Sequence, residues 1–194
     1  MINEQLKKFT ITLGSASPRR KKLLSDIGLK FSIQTTDKEE DHPANLKDHE
    51  ISEFVAKQKA KFLSESLSKT DLLITADTIV SFKGELLNKP KNKKEAFNTL
   101  SKLSGNTHKV ITGVCIKNYQ KEIAFSAITL VTFNTLTKKE ISFYINNFNP
   151  FDKAGAYGIQ DWIGKIGIKS IEGSYSNVVG LPTAEVYQQL KLFI

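Results

Sequence analysis

Phe9-Thr10-Ile11-Thr12-Leu13-Gly14-Ser15-Ala16-Ser17-Pro18-Arg19-Arg20 is the stretch on which the reading of the fold rests. Phe9 to Leu13 is β-branched and apolar, and reads as a strand. Gly14 to Ala16 is a tight turn of small residues, Ser17 suits a helix N-cap, and Pro18 suits the first helical position. The helix that follows, Pro18 to Ile27, turns Leu23, Leu24 and Ile27 inward and stops at Gly28 in the C′ position.

Arg19 and Arg20 are the only arginines; the other 26 of the 28 basic residues are lysines. Against that background, Arg at this place implies a need for its planar fork of donors, which pairs with phosphate or carboxylate as Lys cannot. Two cations in a first helical turn face the positive end of the helix dipole, at about 0.3–1 kcal/mol each. A bound anion would reverse that cost, because helix N-termini already offer free N–H groups. The alternative is two solvated surface arginines.

Outward from this stretch, Phe31 to Thr35 reads as a strand, Asp37 to Asp48 as a polar acidic loop, and Ile51 to Leu67 as a long helix. Ile51, Phe54, Val55, Phe62 and Leu63 form the apolar face of that helix. Leu72 to Ala76 is a buried strand whose apolar run ends at Asp77. Ile79 to Phe82 and Glu85 to Leu87 pair as a hairpin over Lys83-Gly84. Asn92-x-x-Glu95 resembles a capping box for a helix to Leu103, closed by Gly105. Two long strands follow, His108 to Lys117 and Glu122 to Phe133, and Thr137-x-x-Glu140 caps a helix ending before Pro150. The last helix runs from Pro182 to about Phe193. The order is α/β, and the middle hairpins argue for a mixed rather than a purely parallel sheet.

The 194 residues make one domain, or two small lobes around a cleft. A net charge of +8 favours an anionic partner: nucleotide, nucleic acid or membrane surface. Lysines scattered through helices also serve simply as a solubilising surface. The single cysteine, Cys115, excludes an intramolecular disulfide, fits a reducing compartment and sits in an apolar run as a core residue. No apolar stretch reaches signal-peptide or membrane-span length, so the expectation is a cytoplasmic protein with no membrane partner.

Asp77 is the leading catalytic candidate, placed at the carboxyl end of a strand, where α/β sheets open their ligand crevice. It would hold a metal or activate a water there, or else make a strand-end turn with the Thr78 backbone. Lys89, in Asn88-Lys89-Pro90, is stiffened by the proline, and Lys59 lies on a helix among small residues; plain surface is the alternative for both. Glu39, Glu40 and Asp41 form an acidic cluster suited to a divalent metal or to a solvated loop. His42, His49 and His108 lack zinc-ligand spacing, and His108 reads as structural.

Six of the 11 glycines fall between Gly155 and Gly180, which implies unusual dihedrals or close approach to a ligand. Gln160 ends the run Ala154-Gly155-Ala156-Tyr157-Gly158-Ile159-Gln160 and offers a donor beside an acceptor, matching a uracil or thymine edge. Tyr157 either stacks on a base or belongs to the core. Gly173-Ser174-Tyr175-Ser176-Asn177 places hydroxyls and an amide ahead of Val178-Val179-Gly180-Leu181-Pro182, again suiting an oxyanion.

Six runs in order resemble the Maf family of septum-formation-inhibitor proteins, which are nucleoside triphosphate pyrophosphatases. They are Ser15 to Arg20, Ala76 to Val80, Asn88 to Pro90, Leu103 to Gly105 with His108, Asp152 to Gln160, and Gly173 to Pro182. The resemblance spans nearly the whole chain as one domain. It implies a mixed, elongated two-lobed α/β fold with a central cleft, related to the inosine triphosphatases and commonly dimeric. The implied reaction cleaves a nucleoside triphosphate between its α and β phosphates with Mg²⁺ or Mn²⁺.

By resemblance Asp77 is the proton acceptor and a metal contact. Arg19, Thr78 and Gln160 occupy positions tied to substrate choice, and Ser15, Arg20, Lys59 and Lys89 occupy phosphate-site positions. Thr78 and the Ala-Tyr-Gly-Ile-Gln run resemble the branch acting on dTTP and UTP rather than the branch acting on 7-methyl-GTP. The family's acidic loop carries a glycine, an apolar residue and two acids. Here it is Asp37-Lys38-Glu39-Glu40, with Glu40 the match for the second acid and a metal contact. Trp162 and Gly164 to Gly167 also depart from the pattern. Two rivals remain: a pyrophosphatase for modified or purine nucleotides, and a nucleic-acid-binding regulator of cell division. Against the second, the basic residues are dispersed, with no basic stripe interleaved with aromatics.

Overall fold

The opening stretch folds as its residues dictate in a computed structural model of the chain, which describes residues 2–38, 41–43, 45–65 and 67–194. A short helix α1 (Ile2–Gln5) precedes strand β1 (Thr10–Gly14) and helix α2 (Pro18–Asp26). The Ser17 side chain accepts from the Arg20 amide, Pro18 takes the first helical position, and Gly28 leaves the helix at φ 81°. There follow β2 (Ser32–Ile33), α3 (Asp48–Leu63), β3 (Asp71–Phe82), β4 (Glu85–Leu86), α4 (Lys93–Leu103), β5 (Thr107–Lys117) and β6 (Glu122–Phe133). The chain closes with α5 (Lys138–Phe148), α6 (Trp162–Gly167), β7 (Ile168–Glu172), α7 (Tyr175–Val179) and α8 (Thr183–Leu190). This is the mixed α/β architecture expected.

Several boundaries differ from those predicted. Strand β2 keeps only Ser32 and Ile33, paired parallel to Thr12 and Leu13. Helix α3 starts three residues early, where Glu50 accepts from the Lys47 amide at 2.7 Å, and stops at Leu63 rather than Leu67. It stops because Ser64 turns its hydroxyl onto the Lys61 carbonyl, and serines compete in this way with helix continuation. Its buried face is Ile51, Ser52, Val55, Ala56, Ala60 and Leu63, whereas Phe54 is exposed and Phe62 lies under the Lys38 ammonium at 4.9 Å. In the Asn92 cap the side chain accepts from Glu95 N, but the Glu95 carboxylate reaches back to Lys91 N at 2.8 Å, one residue beyond a regular box. Pro182 holds the N-cap position of α8, and a 3-10 turn over Lys191–Phe193 completes that helix.

The chain divides into two compact units. The first comprises Met1–Asp77, Thr112–Ala127 and Gly180–Ile194. In it β1 runs parallel to β2 and to β3, from Thr10 opposite Asp71 to Gly14 opposite Thr75. Alternation along β3 sorts side chains to two faces. Leu72, Ile74 and Ala76 join a core with Leu13, Leu24, Val114, Leu181 and Leu190. Leu73 faces the other way, against Ala56, Ala60 and Leu63 of α3 and against Cys115.

Helix α3 sits close to the sheet. The Thr75 hydroxyl donates to the Ala56 carbonyl at 2.7 Å, and a Cβ on Gly113 would run into the Ser52 carbonyl and the Glu53 nitrogen. Cys115 is fully buried as expected, and burial pushes its thiol up to about 12, which leaves it unreactive.

The second unit comprises Thr78–Ile111 and Ile128–Val179. The predicted hairpin is present as the distal half of β3 against β4, with Ser81 opposite Leu86 and Phe82 opposite Glu85. Strand β7 pairs antiparallel with β6, Leu130 opposite Glu172. Elements α6, β7 and α7 have no counterpart in the predicted order. Their glycines interrupt both the helical and the strand period, and pairing with β6 rather than local pattern defines β7.

The core of this unit holds Leu100, Leu103, Val110, Phe133, Ile141, Tyr144 and Ile163. His108 is buried within it, its Nε2 2.7 Å from the Tyr157 hydroxyl and its ring 5.7 Å from Phe133. Burial brings the His108 pKa down to about 4, so the ring is neutral in the folded protein at neutral pH.

A lowered histidine pKa means that the unfolded chain binds the extra proton below about pH 6.5 while the folded chain refuses it until about pH 4. Stability is therefore expected to fall as pH drops through that window, with His108 contributing about 1 kcal/mol per pH unit. Urea unfolding of the wild type and His108→Gln between pH 7 and 4 checks this, and the variant should show the shallower slope.

Candidate active site

In the first unit, two groups of predicted site residues lie at the same end of two neighbouring parallel strands. Ser15 follows directly on Gly14, which pairs with Thr75, two residues before Asp77. The Ser15 hydroxyl accepts from the Ser17 amide at 3.3 Å and from an Arg20 guanidinium nitrogen at 3.2 Å. Arg20 Nε donates to the Gly180 carbonyl at 2.8 Å. One planar fork thus ties the turn after β1 to the turn before α8, which a lysine ammonium on its flexible stem would not reproduce. Arg19 lies half-buried on the first turn of α2.

Lys59 and Asp77 form the second group. Lys59 Nζ donates to Asp77 Oδ1 at 2.9 Å and to the Ala76 carbonyl at 3.4 Å. The two side chains are only 13 % and 20 % exposed. Lys59 reaches the strand because it stands beside Ala60 on the small-residue face that brings α3 close to β3. The pair leaves Asp77 as an oriented carboxylate next to a fixed cation, an arrangement able to accept a proton from water beside a charged phosphate.

Asp77 does not end its strand as predicted. It is the seventh of the twelve residues of β3, because Ile79 to Phe82 continue as β formers and the last two, Ser81 and Phe82, pair with β4. The parallel partner β1 does stop there, at Gly14 opposite Thr75, so Asp77 lies just beyond the carboxyl end of the β1–β3 pairing. The carboxyl edge of this parallel pair is set by where the neighbour ends.

Thr78, Lys89 and Gln160 belong to the second unit. Lys89 is exposed on a pinned segment: Leu87 N donates to the Val80 carbonyl, Leu87 O accepts from Gly155 N, both at 2.8 Å, and Pro90 is buried. Gln160 is half-buried in a turn closed by Asp161 N donating to the Gly158 carbonyl at 3.0 Å. Tyr157 is buried, which places it in the core rather than on a base. Glu40, with Glu39, lies outside the described residues. No group of three or more His, Cys, Asp or Glu suited to a metal occurs among the described residues, and none of their helices is long and apolar enough to cross a membrane.

A family model described as Maf-like protein matches residues 10–193. The chain belongs to the Maf-like protein family. This Maf-like chain is 44% identical over 194 residues to the dTTP/UTP pyrophosphatase of Flavobacterium johnsoniae, covering 100% of both. It is 48% identical over 189 residues to the protein of the same name from Phocaeicola vulgatus, covering 97% of this chain and 98% of that one. The corresponding protein of Christiangramia forsetii is 49% identical over 193 residues, covering 98% and 97%.

Among solved structures, the Staphylococcus aureus Ham1 protein has a TM-score of 0.48 at 14% identity, covering 93% of this chain and 99% of its own. A nucleoside-triphosphatase / dITP/XTP pyrophosphatase from Mycobacterium abscessus has a TM-score of 0.38 at 10% identity, covering 64% and 73%.

The supports of these side chains in this Maf-like chain carry little signal in the sequence. Gly113, Ala56 and Thr75 let α3 approach the sheet, and the Gly180 carbonyl holds Arg20. A glycine inside a strand is itself a sign of close backbone approach, so Gly113 was detectable. Nothing in the order of residues pointed from Arg20 to Gly180, 160 positions away.

Arg20→Lys cannot satisfy Ser15 and Gly180 together. Urea unfolding is expected to show a loss of about 1–3 kcal/mol, with KM for a nucleoside triphosphate raised even though charge is kept.

Proposed function

We propose that this chain hydrolyses dTTP and UTP between the α and β phosphates, giving the monophosphate and pyrophosphate. The observation that carries the chemistry is the Lys59–Asp77 pair at 2.9 Å, beside the arginine-built turn. The choice of substrate rests on full-length relatives of 44–49% identity that bear the name dTTP/UTP pyrophosphatase.

In this reading Ser15, the amides of the turn, Arg19 and Arg20 bind the triphosphate, with Arg19 also influencing which nucleotide is accepted. Asp77, oriented by Lys59, accepts the proton of the attacking water at its carboxylate. Lys59 and Lys89 offset negative charge that builds on phosphate oxygens during transfer. Thr78 and Gln160 read the base or its orientation, Gln160 by offering a donor and an acceptor to the uracil or thymine edge.

A hard divalent cation, Mg²⁺ or Mn²⁺, fits a single carboxylate supplemented by phosphate oxygens and water. Asp77 would supply that carboxylate, with Glu40 as the second contact by family pattern. Bound there, such an ion would screen phosphate charge and polarise the phosphoryl oxygens. We place the enzyme in the cytoplasm, acting in nucleotide-pool cleaning and working as a homodimer. The lone buried Cys115 agrees with a reducing compartment.

With Mn²⁺ or Mg²⁺, UTP and dTTP are expected to give stoichiometric pyrophosphate and monophosphate, and chelation should stop the release. Ion chromatography of the products checks this. Orthophosphate, or turnover confined to purine or 7-methylated nucleotides, would contradict the reading.

A further inference from the structure

We propose that Tyr144 and Asp161 are positioning residues that set the base selectivity of Gln160. This rests on the reading of Gln160 as a base contact. Gln160 is the third residue of the turn Gly158–Asp161, closed by the 3.0 Å bond from Asp161 N to the Gly158 carbonyl. The Tyr144 hydroxyl, projecting from the buried face of α5, locks both ends of that turn. It accepts from the Gly158 amide at 3.0 Å and donates to Asp161 Oδ2 at 2.8 Å. A buried phenol held between a donor and an acceptor has its orientation fixed, and burial together with the Asp161 carboxylate raises its pKa, so it stays protonated as the donor.

Asp161 forgoes a local role to do this. It occupies the N-cap position of α6, where an aspartate ordinarily accepts from the first-turn amides, yet its side chain caps nothing. The carboxylate turns to Tyr144 instead, with Lys153 Nζ 3.9 Å away. Gly158 shows how tightly the assembly closes: a Cβ there would lie 2.6 Å from Asp161 Oδ2 and 2.9 Å from Gln160 Nε2. The Gln160 amide and the Tyr144-bound carboxylate therefore rest on the same bare Cα.

Selectivity requires such a constraint. A glutamine amide carries its donor and acceptor on one plane, and turning it over exchanges them. Uracil presents an N–H beside a carbonyl, whereas cytosine presents a ring nitrogen acceptor beside an amino group. A freely turning glutamine serves either base equally; one packed onto Gly158 and carried by a locked turn serves one.

The test compares kcat/KM for UTP and CTP in wild type, Tyr144→Phe, Gln160→Ala and the double variant. Tyr144→Phe keeps the ring stacked on Phe148 at 5.3 Å and deletes only the hydroxyl. It is expected to lower the UTP-over-CTP ratio about tenfold through KM, with kcat for UTP within about twofold of wild type. In the Gln160→Ala background the same change should alter the ratio no further. Asp161→Asn, which still accepts from Tyr144, should keep the ratio, and Asp161→Ala should lose it, which carries the test if Tyr144→Phe is unstable. An unchanged ratio in Tyr144→Phe while Gln160→Ala loses it, or losses that multiply in the double variant, would overturn the inference and leave the role of Gln160 standing. An unchanged ratio in Gln160→Ala itself would remove the base-contact reading and this inference with it.

Discussion

The close seating of helix α3 on the sheet is the constraint on which the candidate site depends. Ser52, Ala56 and Ala60 give the helix a narrow face, Gly113 clears room for the Ser52 carbonyl, and Thr75 ties the Ala56 carbonyl to β3. Larger residues at any of these places would lift the helix by the width of a side chain. Lys59 would then lose its 2.9 Å contact with Asp77, since its stem extends from the edge of that same face. Packing in the first unit and the chemistry proposed for it are in this sense one arrangement.

The arginine pair extends the same logic to the turn after β1, the proposed anion site. A cation at a helix N-terminus is locally unfavourable, and Arg20 offsets part of that by donating to the Gly180 carbonyl and the Ser15 hydroxyl. Those bonds also fix the turn that follows β1. A triphosphate bound there, as proposed, would meet amides and cations already oriented, with less ordering required on binding. Arginine rather than lysine at position 20 fits this geometry, because a point charge would not bridge the two turns.

Much of this was legible in the residues themselves. The strand, turn and capped helix from Phe9 to Arg20, the β3–β4 hairpin and the Thr137 cap are local signals, and local hydrogen bonds enforce them. The apolar run of β3 does change character at Asp77, although the strand continues: apolar periodicity marks where side chains change character, while strand ends depend on pairing with β1 and β4. The Gly155–Gly180 region was not legible as secondary structure, because glycines erase both periods and β7 is defined by its partner. Tyr144 and Asp161 escaped for a related reason. Each reads as an ordinary helix-face or N-cap residue until the fold brings them 2.8 Å apart.

If α3 holds Lys59 and Asp77 together as one catalytic unit, as proposed, the two residues share a single contribution to hydrolysis. A double-variant cycle measures it most directly: single-turnover hydrolysis of UTP by Lys59→Gln, Asp77→Asn and the combined variant, with unfolding checked for each. Groups that act as a unit show strongly non-additive losses. The combined variant is expected to be no slower than the slower single variant. Losses that multiply would show that the two residues contribute independently, and that their contact is incidental to the reaction.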